Sequence, residues 1–276
     1  MQRSLKAVFL ILLATSPAWA QAQRAGGVPL IIAHRGGARE STENTIQAFQ
    51  RAVRLGAAGI ETDIRLTRDG VVVIYHDDRL GRVEGLKTDA SSPLISDMTY
   101  AEVSSRTLAP VGDDRGGRRV PTLAEALKEV SAGLLNIEIK RAARFDELVD
   151  KTIEILRGSP ALDRVVLEPP DVATAQKLRA ALGPNLKLHI NPGYDSSLPY
   201  EESLKKVLAF KPHSISVSYK KLSWELVDLA HKAGVEVWVW TVDLPAIARA
   251  MTLLGVDAIK TDLPTTMMDV VRKAAN

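Results

Sequence analysis

The chain has 276 residues, 46% of them hydrophobic and 25% charged, so it can bury the core of one large barrel-like domain or of two smaller ones. It contains no cysteine, which excludes a disulfide framework, a thiolate metal site and a cysteine nucleophile. The formal net charge is +3, and it falls to +1 without the first twenty residues, which contain Arg3 and Lys6 but no acid; this weakens any argument for a nucleic-acid partner.

Residues 1–20 have the pattern of a cleaved signal peptide. Arg3 and Lys6 precede the apolar run AVFLILLAT, which is followed by a proline and the small-residue pattern Ala-Trp-Ala. The run is shorter than the ~18 residues that a membrane-spanning helix needs. We therefore expect a mature protein that begins near Gln21, has no stable membrane anchor and is exported, either to a periplasm or into the medium. A mitochondrial presequence is the alternative interpretation.

After this segment, eight short β-branched runs alternate with amphipathic segments. Helices are indicated by hydrophobic period and by end signals, such as Ser223 before WELVDLAHKAG and Pro245 before AIARAMTLLG. Eight alternations predict the α/β class and a (β/α)8 TIM barrel. An open doubly wound sheet is the alternative, but the first strand lacks a following Gly-x-Gly-x-x-Gly. The predicted strands are LIIAH (30–34), GIETDIRL (59–66), LLNIEIK (134–140), RVVLE (164–168), KLHIN (187–191), SISVSY (214–219), VEVWVWT (235–241) and DAIKT (257–261).

The longest interruption lies between predicted strands two and three. In LTRDGVVVIYHDD the Asp69-Gly70 pair separates two apolar runs, which predicts a β-hairpin. Residues 79–121 follow with clusters of turn-forming and charged residues. We interpret them as an insertion over one face of the barrel, within a single domain that spans residues 21–276.

Three carboxylates at predicted strand ends indicate a metal site. Strand side chains alternate, so Glu61 and Asp63 face the same side, where they repel each other unless a cation joins them. Glu138, at the mouth of the next barrel strand, shares a face with Asn136 and Lys140. Taken alone, Glu138 and Lys140 are equally consistent with a simple ion pair. The three carboxylates together suit one Mg²⁺ or Ca²⁺ better than zinc.

Two histidines and two cationic side chains are expected beside these carboxylates. His34 ends the first predicted strand, and the hairpin brings His76 back towards it. An imidazole titrates near neutral pH, so the pair can serve as a base and an acid. Arg35 offers a forked donor to phosphate oxygens, and Lys140 adds a point charge. This combination predicts a site for phosphoryl transfer, in which positioning and charge neutralisation do most of the catalysis.

The motifs AHRGG, ENTIQAF, GIETDIRLTRDGVVVIYHDD, VPTLAEAL, LNIEIK, VWVWTVD and GVDAIKTDLP follow one another along essentially the whole chain after the signal segment. Together they resemble the glycerophosphodiester phosphodiesterases, which are metal-dependent (β/α)8 barrels. A lone His-Arg-Gly is weak, but His-Arg-Gly followed by Glu-x-Asp and His-Asp is highly specific.

The resemblance implies hydrolysis of glycerophosphodiesters to glycerol 3-phosphate and an alcohol. In the mechanism usually drawn for the family, one histidine deprotonates the substrate's 2-hydroxyl, the other protonates the leaving alcohol, and water opens the resulting cyclic phosphate. We assign the base to His34 and the acid to His76, and the sequence is also consistent with the reverse. The implied site consists of Glu61, Asp63 and Glu138 for one Mg²⁺ or Ca²⁺, His34 and His76 for proton transfer, Arg35 and Lys140 for the phosphate, and Trp240 on the wall beside the glycerol.

The sequence departs from the family pattern at the expected mouth of the cavity. After predicted strand four the chain has Glu168-Pro169-Pro170 where the family has Ser-Phe. Glu168 and His189 therefore either contact substrate or serve as a structural salt bridge and a buried, hydrogen-bonded histidine. Recognition of the leaving group is the property in which we expect this protein to differ from its relatives.

Three other functions are consistent with parts of the pattern. A phospholipase D that acts on lysophospholipid or sphingomyelin uses a related barrel. A barrel that binds a ligand without turnover is the alternative from outside enzymology, although all five metal and acid–base positions are occupied here. A metal-dependent lyase would use a lysine base such as Lys140 or Lys260, and fold alone does not exclude it.

Overall fold

Eight parallel strands close into a barrel in the computed structural model, which describes residues 27–112, 118–194 and 196–274. The ring runs in the order β1-β2-β4-β5-β6-β7-β8-β9, and it closes because β1 pairs with both β2 and β9. The TIM-barrel prediction is confirmed. The strands are β1 (Leu30–Ala33), β2 (Gly59–Leu66), β3 (Val72–Ile74), β4 (Leu134–Ile139), β5 (Val165–Glu168), β6 (Lys187–Ile190), β7 (Ser214–Ser218), β8 (Glu236–Trp240) and β9 (Ala258–Thr261).

The described part of the chain contains nine α-helices. Several begin at the caps that their sequences indicate: the Ser223 hydroxyl accepts the amide hydrogen of Leu226, and Pro245 occupies the first turn of its helix. The helices are α1 (Ile46–Arg54), α2 (Tyr100–Ser104), α3 (Leu123–Glu129), α4 (Phe145–Leu156), α5 (Val172–Leu182), α6 (Tyr200–Phe210), α7 (Trp224–Lys232), α8 (Pro245–Leu253) and α9 (Pro264–Ala274).

The main hydrophobic core lies between the outer face of the barrel and the helices. Outward-facing strand residues such as Ile60, Ile137 and Val237 are buried there with helix residues such as Phe49 and Leu178. Each fully buried aliphatic side chain stabilises the fold by ~1.5–3 kcal/mol relative to exposure. This outer core fixes which face of each strand points outward. The alternate side chains must therefore point into the barrel.

A second, small apolar layer fills one level of the barrel interior. It consists of Ile32, Leu134, Val166, Trp238 and Ala258, one from each of five different strands. The next inward-facing positions towards the carboxyl ends of these strands include the buried polar residues Asn136, Glu168 and Lys260. The apolar layer therefore closes the barrel below, and the polar positions face the cavity above it.

The predicted hairpin forms between β2 and β3. The strands are antiparallel, with Ile64 opposite Ile74 and Leu66 opposite Val72, and Gly70 in the turn has a φ of 80°. The left-handed conformation of this turn is one that glycine adopts readily. The hairpin carries the chain back to His76 at the carboxyl end of the barrel.

Residues 79–121 contain two 3-10 turns, Arg82–Glu84 and Ile95–Asp97, and helix α2. Their apolar side chains, including Leu80, Ile95 and Leu108, pack with Val73 and Tyr75 in a core of their own. Residues 113–117 lie outside the described part of the chain. The insertion is thus anchored on the hairpin, next to His76.

The predicted signal peptide, residues 1–20, also lies outside the described residues. Within the described ranges, no helix combines the length and the apolar character needed to cross a membrane.

His189 on β6 is fully buried inside the barrel. Its Nδ1 lies 2.8 Å from the Ser214 hydroxyl, and its ring is 4.8 Å from that of Trp238. Burial, reinforced by the charge of Lys260, holds the pKa of His189 well below its usual value. The folded protein therefore keeps this imidazole neutral at a pH where the unfolded chain would protonate it.

This difference predicts that His189 makes the fold less stable as the pH falls below about 6.5, because the unfolded state then binds one proton more. Between pH 7.5 and pH 5, we expect the free energy of unfolding to fall by about 2 kcal/mol less in His189→Gln than in the wild type. Urea unfolding at both pH values measures the free energy of unfolding. His231→Gln, on the exposed face of α7, is the control and should not reduce the pH dependence in the same way. Identical pH dependence in wild type and His189→Gln would contradict the prediction.

Candidate active site

A cavity of about 230 Å³ opens at the carboxyl ends of the barrel strands. The structure brings the predicted site residues together there, as expected for catalytic residues in a TIM barrel. Asp63 is the one member that does not reach the cavity wall, and it lies directly behind Lys140. The predicted residues that line the cavity are His34, Arg35, Glu61, His76, Glu138, Lys140 and Trp240.

Glu61, Asp63 and Glu138 form a cluster of carboxylates. Each offers one oxygen, and these oxygens all lie within 4.8 Å of one another. Asp63 and Glu138 are direct neighbours in the pairing of β2 with β4. Burial and the charge of Asp63 raise the pKa of Glu61, because two carboxylates 1% exposed are hard to keep ionised together. A divalent cation fits this all-oxygen set and would relieve the repulsion.

Lys140 follows β4 and bridges two of these carboxylates. Its Nζ lies 2.9 Å from Asp63 Oδ1 and 2.8 Å from Glu138 Oε1. Burial by itself would raise the pKa of Asp63, but the charges of Lys140, His76 and Arg35 outweigh it and lower that pKa. The Glu138–Lys140 contact is therefore part of a larger charge cluster and not an isolated ion pair.

A tight turn immediately after β1 aims His34 and Arg35 at the cluster. The prediction that His34 ends the first strand was wrong by one residue: β1 ends at Ala33, and His34–Gly36 form a 3-10 turn. The cause is the backbone of Arg35, whose φ of 52° cannot continue a strand. Gly36 has a φ of 84°, and a Cβ there would lie 2.9 Å from the Cβ of Ala48. The turn also lets the Arg35 amide donate a 3.0 Å hydrogen bond to Glu61 Oε2.

His34 is held by a carboxylate that the sequence analysis did not single out. Its Nδ1 lies 2.6 Å from Asp262 Oδ1, and its Nε2 lies 3.8 Å from Glu61 Oε2. Asp262 is itself fixed by its amide, which donates to Asp243 Oδ1 at 2.8 Å. Burial lowers the pKa of His34, but Glu61 and Asp262 outweigh it, so the pKa is raised. The only sequence signal for Asp262 was the T-D-L-P segment, which begins at the last residue of β9.

His76 has a carboxylate partner of its own, the adjacent Asp77. The His76 Nδ1 to Asp77 Oδ1 distance is 2.7 Å. Arg82, from the insertion, donates to Asp77 at 2.7 Å and to both oxygens of Glu43 at 2.9 and 2.7 Å. Glu43 in turn accepts a 3.2 Å hydrogen bond from Arg35. Residues 79–121 thus contribute an arginine that links the two histidine-bearing segments.

Two further residues of the site were missed by sequence reasoning. Asn44, at a φ of 58°, donates to Asp63 Oδ2 at 3.0 Å and accepts from the Thr62 hydroxyl at 2.8 Å. Its signal was present in the ENTIQAF motif, which served only as part of the family resemblance. Tyr194 donates its hydroxyl to Glu138, and no sequence pattern indicated that contact.

Glu168 and His189, whose roles were left open, both have structural partners. Glu168 Oε2 lies 2.6 Å from Lys260 Nζ, and His189 shares its hydrogen bond with Ser214. Glu168 also lines the cavity, together with Lys260. The salt bridge and the hydrogen-bonded barrel histidine are therefore both present.

Comparisons with known proteins are consistent with this geometry. A family model described as the Glycerophosphoryl diester phosphodiesterase family matches residues 34–266. A glycerophosphodiester phosphodiesterase of Caldanaerobacter subterraneus is 33% identical over 248 residues, which cover 88% of this chain and 98% of the relative. The mouse protein Lysophospholipase D GDPD1 is 27% identical over 86% of this chain and 84% of its own. A solved Oleispira antarctica phosphodiesterase, in complex with the product sn-glycerol-3-phosphate, has a TM-score of 0.75 at 25% identity and covers 89% of this chain and 97% of its own.

The His34–Asp262 contact predicts that Asp262→Asn lowers the pKa of His34, because the variant loses a negative charge that favours the imidazolium. An NMR pH titration of the histidine ring resonances measures the change. Asp257→Asn, which removes the carboxylate beside exposed His231, is the matched control and should leave the pKa of His34 unchanged. An unaltered His34 titration in Asp262→Asn would show that this carboxylate does not influence the imidazole.

Proposed function

This chain belongs to the glycerophosphoryl diester phosphodiesterase family and is therefore a phosphodiesterase, and on that premise we propose that it hydrolyses glycerophosphodiesters to glycerol 3-phosphate and an alcohol. The observation that carries the proposal is the juxtaposition, in one cavity, of three carboxylates with two histidines that each have a carboxylate partner. The relative from Oleispira antarctica, solved with sn-glycerol-3-phosphate, supports the same product.

The carboxylate cluster supports a divalent cation as cofactor, Mg²⁺ or Ca²⁺, held by Glu61, Asp63 and Glu138. When bound, the cation would supply positive charge where the phosphate develops negative charge. The two cationic side chains at the cavity wall, Arg35 and Lys140, would bind the remaining phosphate oxygens. Both already contact Asp63, at 3.6 and 2.9 Å, so their positions are set by the carboxylates they neutralise.

The hydrogen bonds of the histidines support His34 as the base and His76 as the acid. Asp262 engages Nδ1 of His34, which leaves Nε2 on the Glu61 side to accept the proton of the substrate's 2-hydroxyl. The 2-oxygen then bonds to phosphorus as the bond to the leaving alcohol breaks, and His76 donates a proton to that alcohol. Water opens the cyclic phosphate with the two histidines acting in reverse. The carboxylates of Asp262 and Asp77 would stabilise the cationic form of each ring.

We also propose that the protein is exported, on the pattern of residues 1–20 alone. A second activity, that of a lysophospholipase D, is supported by the 27% identity to the mouse Lysophospholipase D GDPD1. The two activities differ in whether the glycerol moiety of the substrate still carries an acyl chain.

For the proposed reaction, we expect purified protein to release glycerol 3-phosphate from glycerophosphocholine and glycerophosphoethanolamine, as measured by a coupled assay. A chelator should abolish the release, and Mg²⁺ or Ca²⁺ should restore it. Glu61→Ala and His34→Ala should each lower kcat by about 10²-fold or more, because they remove a cation ligand and a proton acceptor.

His231→Ala is the matched control, since His231 lies on the exposed side of α7, and it should retain wild-type kcat. Release that survives both the chelator and Glu61→Ala would contradict the metal-dependent mechanism. Choline release from lysophosphatidylcholine, without turnover of glycerophosphocholine, would favour the lysophospholipase D activity instead.

The assignment of His76 as the acid makes a separate prediction about leaving groups. When the leaving group of the diester is 4-nitrophenol, it departs as the anion and needs no proton from an acid. The kcat of His76→Ala should therefore fall by about 10²-fold or more on glycerophosphocholine and by little on the nitrophenyl diester. His34→Ala should lose activity on both, because the 2-hydroxyl must still be deprotonated. The opposite pattern would assign the acid to His34 and the base to His76.

A further inference from the structure

The floor of the active-site cavity is a salt bridge that crosses the barrel. Glu168 ends β5 and Lys260 lies on β9, and these strands are four places apart in the closed ring of eight. The two side chains therefore meet from opposite walls, with Nζ 2.6 Å from Oε2. Both residues are buried, yet both line the cavity. The charge of Lys260 also lowers the pKa of Glu61, so the pair lies close to the carboxylate cluster.

A hydroxyl without a partner faces the same cavity. Ser216 on β7 lines the cavity and is 1% exposed, and its Oγ has no hydrogen-bond partner among the described residues. Ser214, two residues earlier on the same strand, already shares its hydroxyl with His189. Buried polar groups are nearly always hydrogen-bonded, so an unpartnered hydroxyl at a cavity wall points to a ligand.

The chemistry of this floor matches a hydroxyl group and not a hydrocarbon. The Lys260 ammonium donates, the Glu168 carboxylate accepts, and the Ser216 hydroxyl does both. An alcohol on the ligand can donate to one of them and accept from another. An alkyl chain in the same place would remove water from the three groups without replacing its hydrogen bonds, which is strongly unfavourable.

The shape of the barrel decides which end of a diester reaches the floor. The apolar layer of Ile32, Leu134, Val166, Trp238 and Ala258 closes the interior below, whereas the carboxyl ends of the strands open to solvent. Only a small group can therefore occupy the floor, and the larger end of the substrate must extend through the mouth. A three-carbon glycerol moiety meets this condition.

We propose that Lys260, Glu168 and Ser216 form a hydroxyl-binding subsite that selects an unacylated glycerol moiety. The proposal rests on the proposed function and deepens it, because it names these three residues as the determinants that favour deacylated diesters over lysophospholipids. Lys260 and Glu168 hold each other across the barrel, and Ser216 completes the site from β7. The terminal hydroxyl of the glycerol is the group recognised, since the 2-hydroxyl is consumed in the reaction.

The test compares three substrates: glycerophosphocholine, its 1-deoxy analogue, in which propane-1,2-diol replaces glycerol, and 1-acyl lysophosphatidylcholine. The analogue keeps the reacting 2-hydroxyl and lacks only the terminal one. We expect wild-type kcat/KM to be about tenfold or more lower for the analogue, as for the loss of one good hydrogen bond. Ser216→Ala should lower kcat/KM about tenfold for glycerophosphocholine and leave kcat/KM for the analogue unchanged. The two substrates should then have equal kcat/KM values.

Ser214→Ala is the matched control, because its hydroxyl is outside the cavity, and it should keep the wild-type preference for glycerophosphocholine over the analogue. The salt bridge is tested by the double variant Glu168→Leu/Lys260→Met. Replacing both charges by apolar side chains avoids leaving one charge buried alone, so the fold should persist. This variant should lose its preference for glycerophosphocholine and gain activity on lysophosphatidylcholine relative to it.

Failure of the inference and failure of the proposed function give different results. Equal wild-type kcat/KM on glycerophosphocholine and its 1-deoxy analogue would overturn the subsite and leave the phosphodiesterase function intact. Preference for lysophosphatidylcholine over glycerophosphocholine would also overturn the subsite, and the proposed function would fail with it only if glycerophosphocholine were not turned over at all.

If none of the three diesters is hydrolysed, the proposed function fails, and calorimetric binding of sn-glycerol 3-phosphate and of its 1-deoxy analogue then decides the subsite. Tighter binding of sn-glycerol 3-phosphate that disappears in Ser216→Ala would support it. Equal binding of the two compounds would overturn it.

Discussion

The burial of two carboxylates on one strand is the constraint on which the rest of the site depends. Glu61 and Asp63 are 1% exposed within β2, and each disfavours the ionisation of the other. Their surroundings are correspondingly cationic or hydrogen-bond donating: Lys140, Arg35 and Asn44 all contact Asp63. A site arranged to hold buried negative charge is also one that can hold a divalent cation and, next to it, a phosphate.

Two unusual backbone conformations near the site help to stabilise the buried carboxylates. Arg35 and Asn44 both have positive φ, and an L-residue other than glycine adopts this region at a cost of about 1–2 kcal/mol. Asparagine tolerates it better than arginine does. In return, the amide of Arg35 donates to Glu61, and the side chain of Asn44 donates to Asp63. Backbone strain is thus tolerated where it brings donors to the buried carboxylates.

The two histidines have similar partners that reach them by different routes. Asp77 follows His76 directly in the chain, whereas Asp262 comes immediately after the last barrel strand, 228 residues after His34. Arg82 and Glu43 connect the insertion to the first turn, so the barrel alone does not complete the site. Because all of these side chains share one hydrogen-bonded network, we expect substitutions within it to be non-additive.

The sequence by itself determined the barrel and the hairpin and indicated the candidate site residues, because strand period, turn residues and the alternation that puts Glu61 and Asp63 on one face are local properties of the chain. Only the tertiary structure decided the partners of those residues. Asp262 beside His34, Tyr194 on Glu138 and the Glu168–Lys260 salt bridge join segments 228, 56 and 92 residues apart. Such contacts depend on how the ring closes and on which strands face each other across it, and neither is written in any local pattern.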